Sequence, residues 1–153
     1  MPQPTTGLSA GVKVLSISPN DEDYQALRLI FSHTNWTIIR VESVADALAY
    51  LKTHEMTVVL SACNLRDGVW KDVLNAVRRL DHPPEVVVFA PHADDWLWAD
   101  VLELGGYDVL ESPFDATEVY RVVSLAWLRT RDLARLDQAT CVKCDAGCRC
   151  SAA

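Results

Sequence analysis

The chain has 153 residues, half of them hydrophobic and 23% charged. That composition suits a water-soluble domain with a full core, and the length excludes a two-domain enzyme. The net charge of -7 is unevenly spread: residues 1–116 hold 8 basic and 17 acidic side chains, residues 117–153 hold 6 and 4. Such an acidic body excludes a nucleic-acid surface, which needs a basic stripe to displace counterions from phosphates. The five cysteines are lopsided as well, with Cys63 alone and Cys141, Cys144, Cys148 and Cys150 crowded near the end.

No segment approaches the roughly 18 uninterrupted apolar residues of a membrane span. The opening residues, Met1 to Gly7, lack the basic and apolar regions of a secretion signal, so residues 1–11 read as a disordered lead-in and the protein as cytoplasmic. Val12 to Ile17 is a β-branched, apolar run that predicts the first strand, and Asp21 to His33 follows at helical spacing through Tyr24, Leu27, Ile30 and Phe31. Trp36 to Val41 reads as the second strand. Ser43 is a suitable N-cap, with Asp46 three residues on, for a helix through Ala45, Leu48 and Leu51.

Met56 to Ser61 is a continuous apolar strand, followed by the loop Asn64 to Gly68 and a helix carrying Val73, Leu74, Val77 and Leu80. His82-Pro83-Pro84 breaks that helix, and Glu85 to Ala90 is the fourth strand. A helix from about Asp94 stops at Gly105-Gly106, a natural left-handed end. Val109 and Leu110 mark the fifth strand, Ser112-Pro113 the turn after it, and a last helix runs from about Ala116 toward Leu136. Apolar strands separated by amphipathic helices define an α/β fold: a doubly wound parallel sheet of five strands covered on both faces. Ligand chemistry in such sheets sits at the carboxyl ends of the strands.

The order of elements, the Asn64-Leu65-Arg66-Asp67-Gly68 loop, the Glu103 to Asp108 turn and the Ser112-Pro113-Phe114 segment together resemble the receiver domain of bacterial response regulators, over about Val12 to Ala126. The resemblance implies a flavodoxin-like sheet with strand order 2-1-3-4-5. It also implies a cis Ser112-Pro113 bond and a phosphorylation pocket holding Mg2+. A receiver keeps an acidic pair after the first strand, a phosphoacceptor Asp ending the third, a Thr or Ser ending the fourth and a Lys after the fifth. The matching positions here are Ser18 and Pro19, Ala62, Ala90 and Ser112, at intervals of 44, 28 and 22 residues.

A methyl group at Ala62 is no nucleophile, and Ser18 with Pro19 offers no carboxylate to a hard cation. The aromatic residue that swings on activation in many receivers matches Val109. Asp21, Glu22 and Asp23 fall in the first turn of a helix, where they meet the dipole, and Asp67 reads as a turn residue before Gly68. Ser16 to Asn20 also suggests the phosphate loop of flavodoxins, but Pro19 has no N–H to give and the following acids repel an anion. The degenerate phosphorylation pocket of Ser18, Pro19, Ala62, Ala90 and Ser112 therefore predicts a non-phosphorylatable receiver-like module of two-component or phosphorelay signalling. Such a module is no enzyme and acts through protein contacts.

The partner surface expected from the pattern is Trp96, Tyr120 and Trp127. In the fourth helix Leu97, Val101 and Leu104 form the core stripe, Trp98 and Leu102 flank it, and Trp96 falls with Asp100 and Glu103 on the polar side. Trp96 reads either as an interface anchor or as a ring lying over its own helix. Tyr120 and Trp127, seven apart, share a face of the last helix away from the inward stripe of Val119, Val122, Val123 and Ala126. A homodimer through the fourth helix, fifth strand and fifth helix, or a signalling partner on the same surface, would use these residues.

Residues 138–153 form a cysteine-rich tail beyond a domain spanning 12–137. Cys141-x2-Cys144-x3-Cys148-x-Cys150 offers four thiolates to tetrahedral Zn2+ and would also serve Cu(I). The competing function is thus a metal-binding or redox-responsive regulator that senses through this tail, and the fold itself requires no cofactor. A reduced tail without metal is the plain alternative. Cys63 reads as a small core residue with nothing basic placed to activate it, and His33, His54, His82 and His92 all fall in turns or loops.

Overall fold

The strand segments are apolar at nearly every position, so each must be covered on both faces, and the helices between them supply the cover. A computed structural model describes residues 12–144, with side chains to Asp132. In chain order the elements are β1 (Lys13–Ile17), α1 (Asp21–Phe31), β2 (Thr37–Val41), α2 (Val44–Thr53), β3 (Val58–Ala62), β4 (Asn64–Leu65), β5 (Gly68–Val69), α3 (Trp70–Val77), β6 (Glu85–Ala90), α4 (Asp95–Glu103), β7 (Asp108–Glu111) and α5 (Ala116–Cys144). Five of the strands form one parallel sheet in the order β2-β1-β3-β6-β7. Counting the strands of this sheet alone, that is the expected order 2-1-3-4-5.

The sheet separates two cores. On one face α1 and α5 bury Leu27, Phe31, Val119, Val122, Val123 and Ala126 against Val14, Leu60 and Phe89. On the other, α2, α3 and α4 bury Ala47, Trp70, Val73, Val77 and Val101 against Leu15, Val59 and Val88. The register sets Ile17 opposite Val41 and Ser61, Ala62 opposite Phe89, and Ala90 opposite Glu111. The carboxyl ends of the strands are thereby brought level, and the loops that follow them share one edge.

Local chemistry fixes the helix starts, at Ser43 with the predicted cap and near Asp94 with a cap that the sequence pattern did not name. Ser43 accepts from the Asp46 N–H at 3.1 Å, and Asp94 accepts from the Leu97 N–H at 2.9 Å. After α4, Gly105 turns with φ +101, a left-handed conformation that side chains disfavour. A Cβ at Gly106 would stand 2.5 Å from Val101 Cγ1, so the close return of the chain depends on hydrogen there.

Four expectations are corrected. The Asn64 to Gly68 loop is a two-stranded antiparallel hairpin, with Asn64 opposite Val69 and Leu65 opposite Gly68. The third helix ends at Val77, leaving Leu80 half-buried in the turn beyond it. In α4 only Val101 is fully buried, with Leu97 half-covered, while Trp98 (51%), Leu102 (38%) and Leu104 (37%) are exposed. That helix is nine residues long and meets the sheet along a narrow line, so its flanking apolar residues reach water. Finally, α5 continues past Leu136 to Cys144, so the boundary drawn at residue 137 falls inside a helix. Residues 1–11 lie outside the described residues.

Candidate functional site

The shared edge of the strand ends is built from short side chains. Ser18, the residue after β1, is fully buried; its hydroxyl accepts from the Asn20 N–H at 3.0 Å and donates to Asp23 Oδ2 at 3.0 Å. Asn20 in turn caps α1, accepting from the Glu22 N–H at 3.1 Å. Asp21 points outward to Arg40 at 3.3 Å, whereas Asp23 turns inward. Burial pushes the Asp23 carboxyl above the ordinary carboxylate range; the Ser18 hydrogen bond opposes this and the Glu22 charge adds to it.

These residues face a cleft of about 520 Å3. Ser18, Pro19, Ala62 and Ser112, four of the five positions expected there, all line it. Ala90 is buried between the lining residues Phe89 and Pro91 and does not itself line the cleft. The Ser112-Pro113 bond is cis, as the resemblance implies. Phe89 forms part of the wall, its ring edge-to-face with Phe114 at 5.1 Å. Glu22 and Asp23 are the only Asp or Glu side chains of the described lining, and no Lys, Arg or His is present in it.

The donor set does not fit the Mg2+ that the resemblance implies. Neither the end of β1 nor the end of β3 presents a carboxylate, and one oxygen of Asp23 is already held by Ser18. Among the described residues, no three His, Cys, Asp or Glu side chains gather as a metal site. Cys63, expected as a small core residue, packs against the α2, α3 and α4 core but is only half-buried and also lines the cleft. Burial and the Asp94 charge push its thiol up, against a smaller pull from Lys71, so it stays protonated at neutral pH.

Sequence reasoning missed two roles. Asp23 lies four residues before the buried Leu27, so the spacing of α1 already placed it on the inward side. Asp67 is more than a turn residue: its carboxylate accepts from the N–H groups of Val44 at 2.7 Å and Ala45 at 3.0 Å, capping α2 from the β4–β5 hairpin. Those two hydrogen bonds hold its carboxyl below the ordinary range. The stabilisation this cap gives is present above the unfolded carboxylate pKa and is lost as pH falls through the lower folded one. Asp67→Asn is expected to lower the melting temperature at neutral pH and to leave it nearly unchanged in strong acid; thermal melts across pH read this, and an equal loss at both ends contradicts it.

The three expected partner residues are treated differently by the fold. Trp96 is 83% exposed on α4, beside Asp95, Asp100 and Glu103. Tyr120 is spent internally: its hydroxyl donates to the Ile30 carbonyl at 2.6 Å and its ring meets Trp36 edge-on at 5.9 Å. Trp127 is half-buried against the α1–α5 core, with the Arg131 guanidinium 4.9 Å from its ring. The pattern along α5 put both on an outer face, but there Tyr120 meets Ile30 of α1 and Trp36, and Trp127 packs against the core. Cys141 and Cys144 fall at the end of α5, and Cys148 and Cys150 lie outside the described residues.

No protein-family model and no curated protein matches the chain significantly. Solved structures do. The signal receiver domain of a protein assigned as a Luxo repressor in Vibrio parahaemolyticus matches with a TM-score of 0.76 and 21% identity, over 82% of this chain and 97% of that one. The signal receiver domain of an HD domain-containing protein from Pseudomonas fluorescens Pf-5 matches with a TM-score of 0.72 and 20% identity, over 80% and 98%. The beryllofluoride-activated NtrC4 receiver domain dimer matches with a TM-score of 0.71 and 16% identity, over 77% and 98%. The chain therefore has the fold of response-regulator receiver domains. No helix among the described residues is long and apolar enough to cross a membrane.

Proposed function

We propose that this chain is a receiver-like module of two-component or phosphorelay signalling that works in the cytoplasm through protein contacts, without being phosphorylated and without catalysis. The observation that carries the reading is the Ala62 methyl group at the end of β3, where the receiver fold places its phosphoacceptor, on a cleft with no cation to clamp a phosphate. Incubation with acetyl phosphate and Mg2+ is expected to leave the intact mass of the folded protein unchanged. A stable phospho-adduct overturns the proposal.

The surface for contacts is the side formed by α4, β7 and α5. It presents Trp96, Trp98 and Leu102 from α4 and Leu125 and Leu128, each 43% exposed, from α5. Exposed Trp side chains of this kind anchor protein interfaces, and this side suits a signalling partner or a second copy of the chain. The fold neighbour NtrC4 forms a receiver dimer when activated, which supports the same use here.

A second reading rests on the four thiols in ten residues, two of them at the end of α5. In that reading the tail binds Zn2+ and the fold carries the sensor. The expected result is about one equivalent of zinc in anaerobically purified protein and a zinc-dependent change in oligomeric state. Association that persists unchanged when Cys141, Cys144, Cys148 and Cys150 are all replaced by Ser favours the first reading, and zinc well below one equivalent removes the second.

A further inference from the structure

We propose that the cleft at the carboxyl edge of the sheet binds a small organic cation with an apolar body, of the arylalkylamine class. The volume, about 520 Å3, falls within the range of small-molecule pockets. Short side chains keep it open: Ser18, Ala62 and Ser112 stand at the carboxyl ends of β1, β3 and β7. Its far wall is apolar and fixed, because Phe89 is 2% exposed and braced edge-to-face by Phe114.

Charge decides the class of ligand. Glu22 and Asp23 face the cleft and no basic side chain lines it, so an anion meets two carboxylates with nothing to offset them. Arg40 reaches the rim, its guanidinium donating to the Ser18 carbonyl at 3.5 Å, but it does not line the cleft and its charge is paired with Asp21 at 3.3 Å and Glu42 at 3.6 Å. Asp23 is placed to receive a donor. Ser18 holds its Oδ2, while Oδ1 takes no hydrogen bond from the described residues. An ammonium group at that oxygen would offset the burial that now raises the carboxyl's pKa, and a short alkyl link would lay an aromatic ring against Ala62, Phe89 and Pro113.

This inference goes beyond the signalling reading and fails separately from it. Intact mass after acetyl phosphate tests that reading, and ligand titration tests this one. The full chain is titrated with phenethylammonium, with 3-phenylpropionate as the matched anion, by two-dimensional NMR and calorimetry. Expected are saturable binding of the ammonium, shifts centred on Ala62, Phe89 and Phe114, no saturable binding of the carboxylate, and affinity that weakens as pH falls and Asp23 takes up a proton. Asp23→Asn is expected to weaken the ammonium about ten-fold or more. Glu22→Gln, at an exposed position that leaves the Ser18 contact intact, is expected to weaken it less. Ala62→Leu, which fills the cleft without touching either charge, is expected to abolish it. Absence of saturable phenethylammonium binding, equal binding of 3-phenylpropionate, or wild-type affinity in both Ala62→Leu and folded Asp23→Asn overturns the proposal.

Discussion

Phe89→Ala is expected to lower the stability of the domain by about 3–5 kcal/mol, read from the midpoint of urea unfolding. Phe89 is 2% exposed and pairs with Ala62 across the sheet, so truncation leaves a void under the cleft as well as losing the transfer free energy of the ring. Its edge-to-face contact with Phe114 goes with it. A domain of this size is typically stable by only about 5–15 kcal/mol, so the variant is left marginal. Phe89→Leu keeps most of the buried area, and its loss is expected to be about half as large or less. A loss below about 1 kcal/mol for Phe89→Ala would mean that the wall of the cleft is not fixed by this ring.

Trp70→Ala is expected to cost a similar amount, about 3–5 kcal/mol, from the opposite face of the sheet. Trp70 opens α3, is 4% exposed, and belongs to the core shared by α2, α3 and α4; its backbone N–H donates to the Cys63 carbonyl at 3.2 Å. Because Phe89 and Trp70 sit in separate cores, their costs are expected to add, and the double variant falls at or beyond the total stability. Fluorescence gives a second readout. Trp96 and Trp98 are in water and Trp70 is not, so removing Trp70 is expected to move the native emission to longer wavelength. A native spectrum unchanged by Trp70→Ala contradicts its burial.

The parallel α/β class, the cap at Ser43, the helix start near Asp94 and the stop at Gly105 were legible from short-range pattern: alternation of apolar strands with amphipathic helices, a polar side chain at a helix start, a glycine at its end. The strand order and four of the cleft positions were legible through the resemblance to receiver domains. Asp23 was legible in principle, four residues before Leu27, and was obscured because acidic residues in a first helical turn already have a local explanation. Trp70 and Trp96 illustrate the opposite limit. Both stand near the start of a helix among polar neighbours, yet one is 4% and the other 83% exposed, since α3 lies flat on a core shared with two other helices and α4 touches the sheet through Val101.

The amino-acid order by itself determined that the chain folds as a parallel α/β sheet and that the strand ends carry Ser, Ala and Ser where a phosphorylation site would need carboxylates and a lysine. Both properties are written in single residues and in periods of a few residues. Tertiary structure decided which polar groups meet. Asp67 reaches back 23 residues to cap α2, Tyr120 donates to Ile30 across 90 residues, and Asp23 turns in to Ser18 instead of out to water. Such pairings depend on which helix covers which strand and at what height. A hydrogen bond across the fold forms only where the packing of the two cores brings donor and acceptor within about 3 Å, a distance that no local pattern specifies.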